Sequence, residues 1–210
     1  MAKADFKVAL FDLDGVVLDT ESQYSIFWGQ MGREYRPDVP DFADRIKGQT
    51  LVQIYDGWFK GMNELQETIT HRLNAFEAEM RFPYIKDARK CIMRMREAGI
   101  RTAVVTSSNK PKMQQAYREH PELLTLFDRI LTSGDFSASK PAPDCYLLGA
   151  RIFDVEPSMC IVFEDSINGL KAARASGAHV VGLTTTNPRS VVEPLSDEVI
   201  DDFENYFIEE

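Results

Sequence analysis

Three short apolar runs, each ending abruptly in polar residues, constrain the fold of this chain more than any other feature. They occupy residues 6–11, 101–105 and 160–163. An apolar run of this length that stops at a polar loop is typical of a strand buried in a parallel sheet. Helical patterns lie between the runs, and residues 129–131 and 179–183 are weaker candidates for strands. The alternation predicts an α/β fold with a doubly wound parallel sheet.

Residues 17–83 interrupt this alternation. Large apolar side chains recur there at helical spacing, most clearly in the series Leu51, Ile54, Tyr55, Trp58 and Phe59. Stripes of this kind usually form the core of a small helical bundle. We therefore expect residues 17–83 to form a helical cap, inserted into a core made of residues 1–16 and 84–210.

Charge and hydropathy argue against nucleic acid and membranes as partners. The net charge is −9, and no cluster of Lys and Arg forms the basic patch that duplex nucleic acid requires. No apolar run approaches the roughly 18 residues of a membrane-spanning helix. The three cysteines are far apart, and no apolar signal segment precedes the first strand, which predicts reduced thiols in a cytoplasmic protein. A monomer is the default expectation.

Polar side chains follow each of the three runs, at the point where the predicted strand ends. The carboxyl ends of parallel strands share one edge of the sheet, so these side chains are expected to meet there. Four carboxylates in one crevice repel each other unless a cation neutralises them, and oxygen ligands without His or Cys favour Mg²⁺. The side chains concerned are Asp12, Asp14, Thr106, Ser107, Glu164 and Asp165, and the four acids among them are the predicted metal ligands.

The same edge has features of a phosphate site. A Mg²⁺ ion with open coordination positions binds phosphate oxygens. Lys140 adds a positive charge in a loop that neighbouring prolines stiffen. Thr106 and Ser107, between a strand and a helix, offer hydroxyl and backbone N–H donors, and Asn109 in the same loop is a further candidate phosphate contact.

Four motifs resemble those of the haloacid dehalogenase-like (HAD) superfamily of phosphotransferases, in the family's order along nearly the whole chain. They are FDLDGV at 11–16, TSS at 106–108, Lys140 and FEDS at 163–166. Further segments, together with the helical insertion, are similar to the subgroup that contains beta-phosphoglucomutase and small sugar-phosphate phosphatases. These segments are DTE at 19–21, KPAPD at 140–144 and EDSING at 164–169.

The resemblance implies a role for each residue. Asp12 would be the nucleophile that forms an aspartyl-phosphate, and Asp14 the acid that protonates the leaving oxygen and then the base that activates water. Asp12, the backbone carbonyl of Asp14 and the acidic pair, acting directly or through water, would hold Mg²⁺. Thr106 and Lys140 would stabilise charge on the transferring phosphoryl group. The acidic pair consists of Glu164 and Asp165.

The resemblance also indicates a substrate class. The segment RIKGQT at 45–50 looks like the subgroup's substrate-specificity loop, and Lys47 is its candidate for contact with substrate. A cap of this kind would close over the crevice, exclude water and select the leaving group. The expected activity is therefore Mg²⁺-dependent hydrolysis of a small phosphorylated metabolite, a sugar or polyol phosphate.

Three alternatives stay open on the sequence. A hexose-phosphate mutase of the beta-phosphoglucomutase type is disfavoured because Tyr24 stands where that enzyme has a histidine, and Leu51 where it has an arginine for the second phosphate. A dehalogenase needs no metal site and would not be expected to have Asp14 or the acidic pair. A non-catalytic phosphate-binding module would have no need of the complete set of reactive side chains.

Overall fold

The structure is a computed structural model, and it describes residues 6–204 and 206 of the 210-residue chain. The chain divides into two compact units. The inserted unit is Thr20–Arg81, and the sheet unit comprises the chain up to Asp19 and from Phe82 onward. The boundaries of the inserted unit thus lie slightly inside the residues 17 and 83 that mark the cap expected from the sequence.

The described part of the sheet unit is built on six parallel strands, in the order β3-β2-β1-β4-β5-β6. The strands β2 and β3 lie on one side of β1, and β4, β5 and β6 lie on the other. The direction in which the chain adds strands therefore reverses at β1, which is the topology of a doubly wound fold. The predicted α/β fold class is therefore confirmed. The strands are β1 (Val8–Phe11), β2 (Arg101–Val105), β3 (Arg129–Leu131), β4 (Cys160–Glu164), β5 (His179–Leu183) and β6 (Glu198–Ile200).

The inserted unit contains four helices around an aromatic core. They are α1 (Glu21–Tyr35), α2 (Phe42–Arg45), α3 (Leu51–Trp58) and α4 (Asn63–Glu79). Thr50 begins α3 with a capping box, in which its side chain accepts from the Gln53 backbone N–H and the Gln53 side chain accepts from the Thr50 backbone N–H. The rings of Phe27 and Phe76 stack with centroids 5.0 Å apart, which ties α1 to α4.

Among the residues that the structure describes, six helices of the sheet unit follow in the chain. They are α5 (Ala88–Glu97), α6 (Lys110–Glu119), α7 (Leu123–Leu126), α8 (Asp144–Ile152), α9 (Ile167–Ser176) and α10 (Arg189–Val192). The central strands β1 and β4 are buried along their whole length, as expected when helices cover both faces of a parallel sheet. Within the described residues, no helix has both the length and the apolar character that crossing a membrane requires.

The core of the inserted unit generates a stability prediction. Ile69 is fully buried there, whereas Ile26 on α1 is 73% exposed. Ile69→Ala should lower the free energy of unfolding by about 2–5 kcal/mol, because it removes buried methyl groups and leaves a cavity. Ile26→Ala should change it by less than about 0.5 kcal/mol. Denaturant unfolding of both variants measures this, and equal effects would contradict the assigned core.

Candidate active site

Strand register brings two carboxylates together at the carboxyl edge of the sheet. Phe11 of β1 is aligned with Phe163 of β4, and their rings stack with centroids 4.6 Å apart. Asp12 and Glu164 each follow directly after these aligned residues, and the Asp12 backbone N–H donates to the Phe163 carbonyl at 3.0 Å. Two acids that are distant in sequence therefore become neighbours because the apolar strands before them are in register.

Lys140 lies between these two carboxylates. Its Nζ donates to Asp12 Oδ1 at 2.6 Å, to Glu164 Oε1 at 2.5 Å and to the Val105 carbonyl at 3.2 Å. All three ionisable side chains are buried, so their charges are poorly screened by water. Lys140 thus connects the ends of β1, β2 and β4.

The electrostatics of this trio follow from burial and proximity. Burial raises the pKa of Asp12 to about 7, an effect that Lys140 opposes and that the charges of Glu164 and Asp14 strengthen. Burial opposes the charged form of Lys140, but the carboxylates of Asp12 and Glu164 prevail and raise its pKa above the usual value. The lysine therefore stays cationic, while Asp12 needs more positive charge nearby to be fully ionised at neutral pH.

Three buried carboxylates form a group that fits a metal ion. Asp12, Glu164 and Asp165 each offer one oxygen, and these oxygens all lie within 4.8 Å of one another. Carboxylate oxygens are the donors that Mg²⁺ prefers. Asp14, the fourth predicted ligand, contributes no side-chain oxygen to this group.

Asp165 is held by two residues of the loop after β5. Thr186, in the loop after β5, donates its hydroxyl to Asp165 Oδ2, and the Asn187 side chain donates to the Asp165 carbonyl at 2.9 Å. Gly15 has φ of +75°, and a Cβ there would overlap the Asp165 carboxylate. Position 15, in the loop after β1, therefore requires a glycine for two reasons: its φ is positive, and a side chain there would occupy the space of Asp165.

Asp14 has a different set of partners from Asp12. Its Oδ1 accepts from Lys112 Nζ at 2.6 Å, and its Oδ2 accepts from Ser108 Oγ at 2.7 Å. Both partners are buried, whereas the Asp14 side chain is 15% exposed. The two aspartates of the loop after β1 thus pair with different lysines, Asp12 with Lys140 and Asp14 with Lys112.

The loop after β2 supplies hydroxyl and amide groups at the carboxyl edge of the sheet. Thr106 is fully buried, and its backbone N–H donates to the Leu131 carbonyl at 2.9 Å. Because this N–H is already bonded, the hydroxyl is the donor that Thr106 can offer to a ligand. Ser107 is exposed. Asn109 is also exposed, and its side-chain oxygen accepts from the Lys112 backbone N–H at 3.0 Å, which caps α6.

Lys47 lies in the inserted unit, in the connection between α2 and α3. Its ammonium pairs with Asp44 at 2.7 Å, and the Asp44 side chain is 67% exposed. The Lys47 side chain is 23% exposed, and a partly exposed pair of this kind contributes about 1 kcal/mol or less, so it would not prevent Lys47 from contacting another anion.

Several residues that support the site were not among those predicted from the sequence. Thr186 could have been found by extending the strand-end rule to the run after β5, where three threonines precede Asn187. Lys112 and Tyr146 had no such signal, because both lie within helices. Tyr146 is buried on α8, and its hydroxyl donates to Glu164 Oε1 at 2.6 Å.

The charge balance of the edge indicates what it can bind. Carboxylates outnumber ammonium groups by two when all are ionised, and buried charges of one sign are costly unless they are neutralised. A divalent cation would supply the missing charge, and it would then present open positions to an anionic ligand such as phosphate. The groups counted are Asp12, Asp14, Glu164, Asp165, Lys112 and Lys140.

Comparisons with known proteins place this geometry in context. Residues 6–177 match a family model described as haloacid dehalogenase-like hydrolase. The chain is 29% identical over 190 residues to validoxylamine A 7'-phosphate phosphatase of Streptomyces hygroscopicus subsp. limoneus, covering 87% of each protein. It is 26% identical over 182 residues to hexitol phosphatase A of Escherichia coli (strain K12), covering 83% of this chain and 81% of the relative.

Two further similarities extend this comparison. Beta-phosphoglucomutase of Bacillus subtilis (strain 168) is 25% identical over 201 residues, covering 87% of this chain and 85% of the relative. A solved HAD hydrolase of family IA, variant 3, from Entamoeba histolytica HM-1:IMSS superposes with a TM-score of 0.79 at 22% identity, over 94% of each chain. This structural likeness supports the fold.

Gly169 provides a test of how Glu164 is held. A Cβ at position 169, in the first turn of α9, would overlap the Glu164 carboxylate. Gly169→Ala should displace Glu164, lower the affinity for Mg²⁺ and lower the free energy of unfolding by about 1–3 kcal/mol, despite the better helix propensity of Ala.

Gly57→Ala in α3 is the matched control, because a Cβ there meets no atom within 4 Å. That variant should be neutral or slightly stabilising. Calorimetric Mg²⁺ titration and denaturant unfolding measure the two effects. Unchanged metal affinity and stability in Gly169→Ala would show that the packing of α9 against Glu164 is wrongly assigned.

Proposed function

The chain belongs to the haloacid dehalogenase-like hydrolases, and we propose that it is a Mg²⁺-dependent phosphatase of small phosphomonoesters, with a sugar or polyol phosphate as substrate. The observation that carries the proposal is the buried contact of Lys140 with Asp12 and Glu164, beside Asp165. A carboxylate held next to a fixed ammonium and two further acids suits a nucleophile that attacks an anionic phosphoryl group.

The reaction proceeds in two displacements. An oxygen of Asp12 attacks phosphorus, the bond from phosphorus to the substrate oxygen breaks, and Asp14 gives that leaving oxygen a proton. A water molecule then transfers a proton to Asp14 and attacks the phosphorus of the aspartyl-phosphate. The bond to Asp12 breaks, which releases inorganic phosphate and restores both aspartates.

Mg²⁺ is the cofactor that the acidic group suits. Asp12 and Asp165 would hold it with the backbone carbonyl of Asp14, and Glu164 would act directly or through water. When bound, the ion supplies positive charge that neutralises the phosphate oxygens and favours the ionised form of Asp12. A divalent ion would also balance the excess of carboxylates over lysines at this edge.

The remaining side chains bind and polarise the phosphoryl group. Lys140 and the Thr106 hydroxyl stabilise the charge on its oxygens as it is transferred, which is the main catalytic task in phosphoryl transfer. Ser107 and Asn109, exposed in the same loop, contribute further donors to the phosphate.

The substrate class is supported by the relatives. Two relatives are named as phosphatases, one of validoxylamine A 7'-phosphate and the other of a hexitol. We assign selection of the leaving group to the inserted unit, with Lys47 as its candidate contact. The cysteines Cys91, Cys145 and Cys160 are buried thiols, which suits a reducing compartment such as the cytoplasm.

Two residues of the inserted unit argue against the mutase alternative. The Tyr24 hydroxyl donates to Glu77 at 2.7 Å, and Leu51 packs against the apolar core of this unit. A mutase must hold a bisphosphorylated intermediate by both phosphates, and neither residue supplies a cation for the second one. Hydrolysis is therefore the better proposal, although a mutase relative aligns over most of the chain.

Replacement of the nucleophile tests the chemistry. Asp12→Asn should lower hydrolysis of para-nitrophenyl phosphate in the presence of Mg²⁺ by a factor of about 10³ or more, because an amide is a poor nucleophile. Asp154→Asn, an exposed position with φ of 56° that Asn tolerates, is the control and should retain full activity. Chelation of Mg²⁺ should abolish the hydrolytic activity of the wild type, and adding Mg²⁺ back should restore it. Comparable activity in both variants would refute the assignment of Asp12.

A substrate panel tests the reaction type. Wild-type protein with Mg²⁺ should release inorganic phosphate from several sugar and polyol phosphates, as measured by a phosphate-release assay. Conversion of a hexose 1-phosphate into its 6-phosphate without release of phosphate would instead establish the mutase. If the whole panel, including aryl phosphates, is left intact while phosphate still binds, the chain is a binding module.

A further inference from the structure

Lys112 is a buried cation that the proposed reaction does not use. Its side chain is only 6% exposed, and it lies in the first turn of α6, two residues after the helix begins at Lys110. The helix dipole makes this end of a helix unfavourable for a positive charge. Burial of an ammonium group carries a further cost unless it is paired. The position of Lys112 therefore requires a compensating interaction.

Asp14 provides such an interaction. Lys112 Nζ contacts Asp14 Oδ1 at 2.6 Å, and Ser108 Oγ contacts Asp14 Oδ2 at 2.7 Å. Each carboxylate oxygen therefore accepts a bond from a different buried donor, which fixes both the position of the side chain and the rotation of its carboxylate plane. A single donor would fix only one oxygen and leave that plane free to turn.

Both donors come from the segment that carries the proposed phosphate contacts. Ser108 follows Thr106 and Ser107 in the loop after β2, and its backbone N–H donates to Thr106 Oγ1 at 3.0 Å. Asn109 then caps α6 through the backbone N–H of Lys112. Asp14 is thus held relative to the groups that would hold the phosphoryl group, and therefore relative to the oxygen that leaves it.

We infer that Lys112 and Ser108 are positioning residues, which hold the Asp14 carboxylate at the leaving oxygen of the substrate. This inference rests on the proposed function, in which Asp14 protonates that oxygen. Proton transfer requires the acid to lie within hydrogen-bond distance of its target, and a displacement of about 1 Å can cost about 100-fold in rate. The role is distinct from that of Lys140, which contacts Asp12.

The dependence of the rate on the leaving group distinguishes positioning from a general electrostatic effect. An alkoxide needs a proton as it departs, whereas para-nitrophenolate is stable without one, so loss of a well-placed acid affects alkyl phosphates much more. The ratio kcat/KM reports the steps up to formation of the aspartyl-phosphate, where the leaving group departs. A cation that only attracts phosphate would influence both substrates equally.

The experiment compares kcat/KM of the full chain with Mg²⁺ on para-nitrophenyl phosphate and on an alkyl phosphate that the wild type hydrolyses. Lys112→Met should lower the value for the alkyl phosphate about 30-fold and that for the aryl phosphate less than about 3-fold. Lys110→Met removes the same charge from the exposed side of the same turn and should change both by less than about 2-fold.

A double-mutant cycle completes the test. Asp14→Asn should show the same selective loss on the alkyl phosphate, and adding Lys112→Met to it should cost less than about 2-fold more, because no acid is left to position. Thermal unfolding monitors the fold of each variant. If Lys112→Met does not fold, Ser108→Ala replaces it in the test. This variant should lower kcat/KM for the alkyl phosphate about 5-fold, and should lower that for the aryl phosphate much less.

The outcomes separate the inference from the proposed function. An inactive wild type, or an Asp14→Asn variant without leaving-group selectivity, would overturn the proposed function and the inference with it. With both of those intact, an equal loss on the two substrates, an additive loss in the double mutant, or a Lys112→Met variant that behaves like Lys110→Met would overturn the inference alone.

Discussion

The buried ammonium of Lys140 is the group on which the organisation of the edge depends. Asp12 and Glu164 end two adjacent strands, and their carboxylates could not both be buried side by side without a cation between them. Removing one partner of a buried ion pair leaves an uncompensated charge and typically costs about 3–5 kcal/mol. Tyr146 and the backbone N–H groups of Asp165 and Ser166 donate further hydrogen bonds to Glu164.

Two aspartates only two positions apart acquire different chemistry because their surroundings differ. Burial, together with the charges of Glu164 and Asp14, raises the pKa of Asp12 although Lys140 lowers it, so that its ionisation depends on further positive charge. Asp14 is partly exposed and is held by a lysine of α6 and a serine of the loop after β2. Leu13 between them is fully buried, which anchors the loop and lets the two side chains diverge. Such a difference in environment is how one loop can supply both a nucleophile and a proton donor.

The fold was predictable from the sequence because its signals are local. Short apolar runs with polar ends mark parallel strands, and the edge rule then places Asp12, Glu164 and Asp165 together. Lys112 and Tyr146 could not be found in this way, since each lies inside a helix and meets its carboxylate only through tertiary packing. Nothing in their spacing distinguishes them from an ordinary helical lysine or a core tyrosine.

The physical character of the edge also explains why its residues define a reaction rather than a substrate. Lysines recognise negative charge, and a divalent ion held by the carboxylates would bind oxygen ligands; every phosphomonoester presents both in the same form. These groups make no distinction between one alcohol and another on the far side of the bridging oxygen. Discrimination between leaving groups requires shape and hydrogen bonds matched to their hydroxyls, where an unpaired polar group costs about 1–3 kcal/mol. A chain that keeps this edge unchanged can therefore acquire a different substrate by changing residues elsewhere, and the inserted unit, with a core of its own, can vary without disturbing the buried charges of the sheet.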